Sequence, residues 1–94
     1  MKESNIEGKV VRYANSRGVL SLKLNVVGNR GWPDRLFIFN NRVMFIEFKT
    51  PTGRLSEMQK HIHRLLEKQN IIVAVCSSVE VARSMLDMYF FGEA

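Results

Sequence analysis

Ninety-four residues, 46% apolar and 24% charged, suffice for one compact core and leave no room for a second, so residues 1–94 are expected to form a single domain. Fourteen Lys and Arg against nine Asp and Glu give a net charge of +5, which favours a polyanionic partner, nucleic acid first of all. The lone cysteine, Cys76, excludes an intrachain disulfide and a cysteine-based zinc centre, and no apolar run approaches the roughly 18 residues of a membrane span. The expectation is an intracellular, cytoplasmic protein with no membrane partner.

The chain opens with a helix over residues 2–15: at ~100° per residue, Ile6, Val10, Val11, Tyr13 and Ala14 share one broad face. After Arg17-Gly18, residues 19–27 alternate strictly, with Leu20, Leu22, Leu24 and Val26 on one side, the period of a half-buried strand that Gly28 to Gly31 ends. Residues 35–39 and 43–48 are two aromatic and β-branched runs joined by Asn40-Asn41, and Asn tolerates the positive φ of a tight hairpin turn. A two-residue turn there makes Ile38 oppose Val43, Leu36 oppose Phe45 and Asp34 oppose Glu47. Both faces of this hairpin are apolar, so both must be covered. Leu55, Met58, Ile62, Leu65 and Leu66 mark an amphipathic helix to about Gln69, opened by a Ser56–Gln59 capping box. A buried strand over 71–76 and a last helix follow, the latter capped by Ser77 and Glu80 and carrying Val81, Ala82, Met85, Leu86 and Tyr89. The order αβββαβα predicts an α/β fold, a three-layer α/β/α domain around a mixed central sheet.

The hairpin also concentrates chemistry. At one end of the face bearing Leu36, Ile38, Val43 and Phe45, the apolar pairs give way to Asp34, Glu47 and, two residues on, Lys49, all pointing the same way. Opposed carboxylates repel unless a cation neutralises them. Mg²⁺ does so with one or two carboxylates, completing its shell with water and phosphate oxygens, while an adjacent lysine can orient a water and stabilise charge at phosphorus. Two further polar side chains border buried arcs. Glu7 lies within the apolar face of the first helix, although Ser4 and Glu7 also match a capping box, and Gln59 is divided in the same way between capping its helix and facing inward. His61 and His63, two apart on a helix, cannot share a zinc ion, for which i, i+4 is required, and are expected at the surface.

Gly31-Trp32-Pro33-Asp34 followed by Glu47-Phe48-Lys49 resembles the PD-(D/E)xK nuclease signature, and the element order is that of the restriction-endonuclease-like core. Within that superfamily the chain is similar, over nearly its whole length, to the VRR-NUC domain and to archaeal Holliday-junction resolvases. The resemblance implies that Glu7, Asp34 and Glu47 are acidic site residues, that the Phe48 carbonyl is a further metal ligand, that Lys49 is the catalytic lysine and that Gln59 positions substrate or lysine. It implies a Mg²⁺- or Mn²⁺-dependent endonuclease for DNA, branched DNA such as a four-way junction in particular, with no organic cofactor. Arg12, Lys23, Arg30, Arg35 and Arg54 flank the site in sequence and as a group offer phosphate contacts. A non-catalytic nucleic-acid-binding module of the same fold, or a restriction-type or flap nuclease, are the competing readings. The apolar run Met85, Leu86, Met88, Tyr89, Phe90 and Phe91 covers more of the last helix than one sheet face needs, and together with the resemblance it leads to the expectation of a homodimer.

Overall fold

The computed structural model describes residues 2–28 and 30–93, with the side chains of Glu3 and Ser4 left aside. The elements follow the expected order: α1 (Glu3–Ser16), β1 (Leu20–Lys23), β2 (Arg35–Phe39), β3 (Arg42–Phe48), α2 (Glu57–Lys68), β4 (Ile72–Cys76) and α3 (Val79–Phe91). The four strands form one mixed sheet in the order β1-β2-β3-β4, antiparallel except for the parallel β3–β4 pair. The hairpin turn has φ of 48° at Asn40 and 72° at Asn41, the paired positive values of a type I′ turn. It sets Ile38 against Val43 and Leu36 against Phe45, as the turn length requires.

The sheet has two different faces. Phe37, Met44, Ile46, Phe48, Ala74 and Cys76 pack with Ile6, Val10 and Ala14 of α1 and Ala82, Leu86 and Phe90 of α3, making one continuous core. α2 lies on the opposite face, where Ile62 and His63 are buried and Gln59 and His63 reach Glu47. That second face is incompletely covered: Leu20 and Leu22, which pair with Ile38 and Leu36, are 55% and 43% exposed.

Three expectations need correction. β1 is four residues long and not nine, because its partner β2 begins only at Arg35, so the ladder has nothing to pair with beyond Lys23; Leu24 adds one bond to the Asp34 carbonyl, and Val26 and Val27 are exposed. The cap of α3 is Ser78, not Ser77, with its side chain accepting from the Val81 amide. Phe90 and Phe91 do not form a free apolar surface: α3 packs on the sheet beside α1 and against it, so Phe90 is buried, Tyr89 and Phe91 pack against the core, and the Arg17 guanidinium lies over the Phe91 ring. Met88 is the large apolar side chain that α3 leaves most exposed.

Candidate active site

The β2–β3 ladder ends at Arg35–Ile46, one pair short of Asp34 and Glu47. Beyond it the Asp34 side chain takes over: its Oδ2 accepts a 2.7 Å hydrogen bond from the amide of Phe48, the residue between Glu47 and Lys49. The loop of Gly31 to Asp34 is thereby tied to the end of β3. Lys49 is held in turn by β4, its amide donating to the Cys76 carbonyl at 2.9 Å. The two halves of the motif therefore meet at one end of the sheet, with Asp34 and Lys49 half-buried and Glu47 only 2% exposed.

A carboxylate buried to that degree is costly unless paired, and α2 supplies partners to Glu47. Gln59 does both things that its sequence position allowed. Its Oε1 accepts from the Ser56 amide in the capping box, while its Nε2 donates to Glu47 Oε2 at 3.3 Å. One helical turn further on, His63 places Nε2 at 3.7 Å from Glu47 Oε1. His63 is not a surface residue, as its partner in sequence His61 is; it is buried on the sheet side of α2. The cue was present in the spacing, since residues 59 and 63 are four apart and share a helix face. Burial pushes the His63 imidazole below its ordinary range, with Glu67 pulling it up and Lys49 pushing it down.

Glu7 has other partners. Its Oε2 accepts from Arg35 Nε at 2.7 Å and from Lys23 Nζ at 3.1 Å, across α1, β1 and β2. Burial raises its pKa, and the two cations outweigh that and hold it below the ordinary carboxylate range. α1 begins with Lys2 as N-cap and no side-chain cap, and the Ser4 half of the alternative capping box lies outside the described side chains. Glu7 thus neutralises Arg35 and Lys23, two of the five basic residues assigned to phosphate; Arg12, Arg30 and Arg54 are exposed. Among the described residues no cluster of three or more His, Cys, Asp and Glu side chains is gathered to hold a metal ion. The donor set at this end of the sheet is Asp34, Glu47 and main-chain oxygen, which suits a hard cation that keeps much of its water and does not suit zinc.

A search of the curated proteins finds no match. Among solved structures, a chain described as a VRR_NUC domain is similar to this one with a TM-score of 0.85 and 23% identity, covering 94% of this chain and 97% of its own length, which shows the shared fold. The family model of the VRR-NUC domain matches residues 16–80, a span that contains Asp34, Glu47, Lys49 and Gln59. With a match over more than half of its length, the chain belongs to the VRR-NUC family of nuclease-type domains.

Proposed function

We propose that the protein is a divalent-metal-dependent DNA endonuclease in which Asp34, Glu47 and Lys49 carry the reaction. The observation that supports this most is the Asp34–Phe48 hydrogen bond, which binds the Asp34 loop to the Glu47-Phe48-Lys49 segment and so joins an acid, a second acid and a lysine at one sheet end. Asp34, Glu47 and the Phe48 carbonyl would hold Mg²⁺ or Mn²⁺, which supplies Lewis-acid charge at the phosphate. Glu47 is oriented by Gln59. Lys49 orients the attacking water and offsets charge developing on phosphorus. Glu7 serves the site at one remove, fixing Arg35 beside Asp34. Arg12, Arg30 and Arg54 extend the basic surface toward the DNA backbone, with Lys23 and Arg35 shared between Glu7 and phosphate.

Branched DNA, a four-way junction above all, is the proposed substrate. Labelled junctions, flaps, duplex and single strands incubated with Mg²⁺ or Mn²⁺ test both levels. Paired incisions on opposing strands of the junction, abolished by chelator, are expected. Cleavage confined to flaps or single strands would overturn the junction preference, and no cleavage of any substrate would overturn the nuclease reading for this chain.

We also infer a symmetric homodimer, which would present two such sites to two equivalent strands. With Phe90 buried and Phe91 packed on the core, the surface that favours it is the incompletely covered sheet face at Leu20 and Leu22. Light scattering at tens of micromolar should give twice the 10.9 kDa chain mass, and Leu22→Glu should lower it to the monomer. A monomeric wild type refutes the dimer.

A further inference from the structure

We propose that His63 is a positioning residue for the Glu47 carboxylate, with Nε2–H directed at Oε1 while Gln59 holds Oε2, so that α2 sets the rotation of Glu47 from inside the protein. The proposal rests, for its consequence, on Glu47 being a metal ligand.

Three observations carry it. The His63 and Glu47 side chains are 8% and 3% exposed, so neither is solvated in any ordinary sense. His63 Nε2 is buried and has no hydrogen-bond partner among the described residues, although buried polar atoms almost always find one. The polar atom it faces is Glu47 Oε1 at 3.7 Å, just beyond hydrogen-bond length. Gln59 and His63 then act as a pair from successive turns of one helix, one on each carboxylate oxygen. A carboxylate has about four acceptor sites, so these two bonds alone do not saturate it. Metal-binding carboxylates are commonly held from behind in this way, and loss of such a partner costs roughly 10–100-fold in metal affinity.

Two measurements on the full chain test the assignment. Long-range ¹H–¹⁵N NMR should find His63 in the Nε2–H tautomer, with its ring resonances shifted by Glu47→Gln. An Nδ1–H tautomer, or resonances indifferent to Glu47→Gln, overturns the contact. Calorimetric titration with Mn²⁺ alone should show affinity falling about 10–100-fold in His63→Leu, which retains the bulk, and returning to within a few-fold of wild type in His63→Gln, which restores a donor. Unchanged affinity in His63→Leu, or an equal loss in both variants, overturns the positioning role. If the wild type takes up no Mn²⁺, it is the metal reading of the site that falls, and the NMR result alone decides whether His63 holds Glu47.

Discussion

Asp34→Asn is expected to be as inactive as Asp34→Ala, with cleavage falling at least about a hundredfold, while the two variants differ in stability. The asparagine keeps an oxygen where Asp34 Oδ2 accepts from the Phe48 amide, so the loop stays tied to β3 although the negative charge is gone. The alanine loses both, and leaving that amide without its charged acceptor should cost about 1.5–3 kcal/mol. Urea denaturation separates the two effects. Lys49→Ala should also lose at least about a hundredfold in single-turnover rate with DNA affinity little changed, because it removes an interaction made mainly in the transition state. Wild-type-like cleavage by Lys49→Ala, or a fully active Asp34→Asn, would remove these residues from the chemistry.

The second large effect is at Gly31, which has φ of +94° and sits against the first turn of α2. A Cβ there would lie 2.7 Å from both the Cγ and the carbonyl oxygen of Met58 and 2.8 Å from its carbonyl carbon. Gly31→Ala should therefore destabilise the fold by about 3 kcal/mol, through backbone strain and overpacking together. Gly28→Ala is the control: φ there is +72° but nothing lies within 4 Å of the added carbon, so only the strain is incurred. Shortening the Met58 side chain should not rescue Gly31→Ala, since two of the three clashes are with Met58 main chain. Activity should fall further than stability, because the displaced segments carry Asp34 on one side and Gln59 on the other. Denaturant midpoints for the four variants, Met58→Ala among them, check this; equal midpoints for Gly28→Ala and Gly31→Ala would show that the loop does not bear on α2.

Much of this was legible before the fold, for reasons that are local. Two asparagines able to adopt positive φ dictate the hairpin register, and the register alone brings Asp34 toward Glu47. A Ser-x-x-Gln sequence dictates where α2 begins, and hence that Gln59 stands at its first turn. What escaped the sequence was decided by neighbours distant along the chain. Alternation from Val19 onward describes a face but not how long a partner strand lasts, so it predicts a longer β1 than the four residues that pair. The aromatic end of α3 looked like a surface because periodicity does not reveal that α1 would occupy a second side of it. The two-residue spacing of His61 and His63 excludes a zinc pair but is silent on Gln59, four residues earlier, with which His63 shares a helix face.

The packing of α1 against α3 also bears on how the molecule is assembled. The family match at residues 16–80 takes in only the last residue of α1 and the first two of α3, and Ile6, Val10, Ala14, Leu86 and Phe90, which complete the core over Phe37, Met44 and Ile46, all lie outside it. A fragment cut to the matched span would leave one whole side of its sheet in water, so the recognisable part of the sequence is not the part able to fold by itself. Closure joins α1 to α3 from opposite ends of the domain, a contact of long sequence separation whose entropy cost is met before its benefit is felt. A growing chain held at its C-terminal end can form the hairpin but not the core beneath it. The sheet that carries Asp34 and Glu47 therefore gains its backing only once α3 is free to pack.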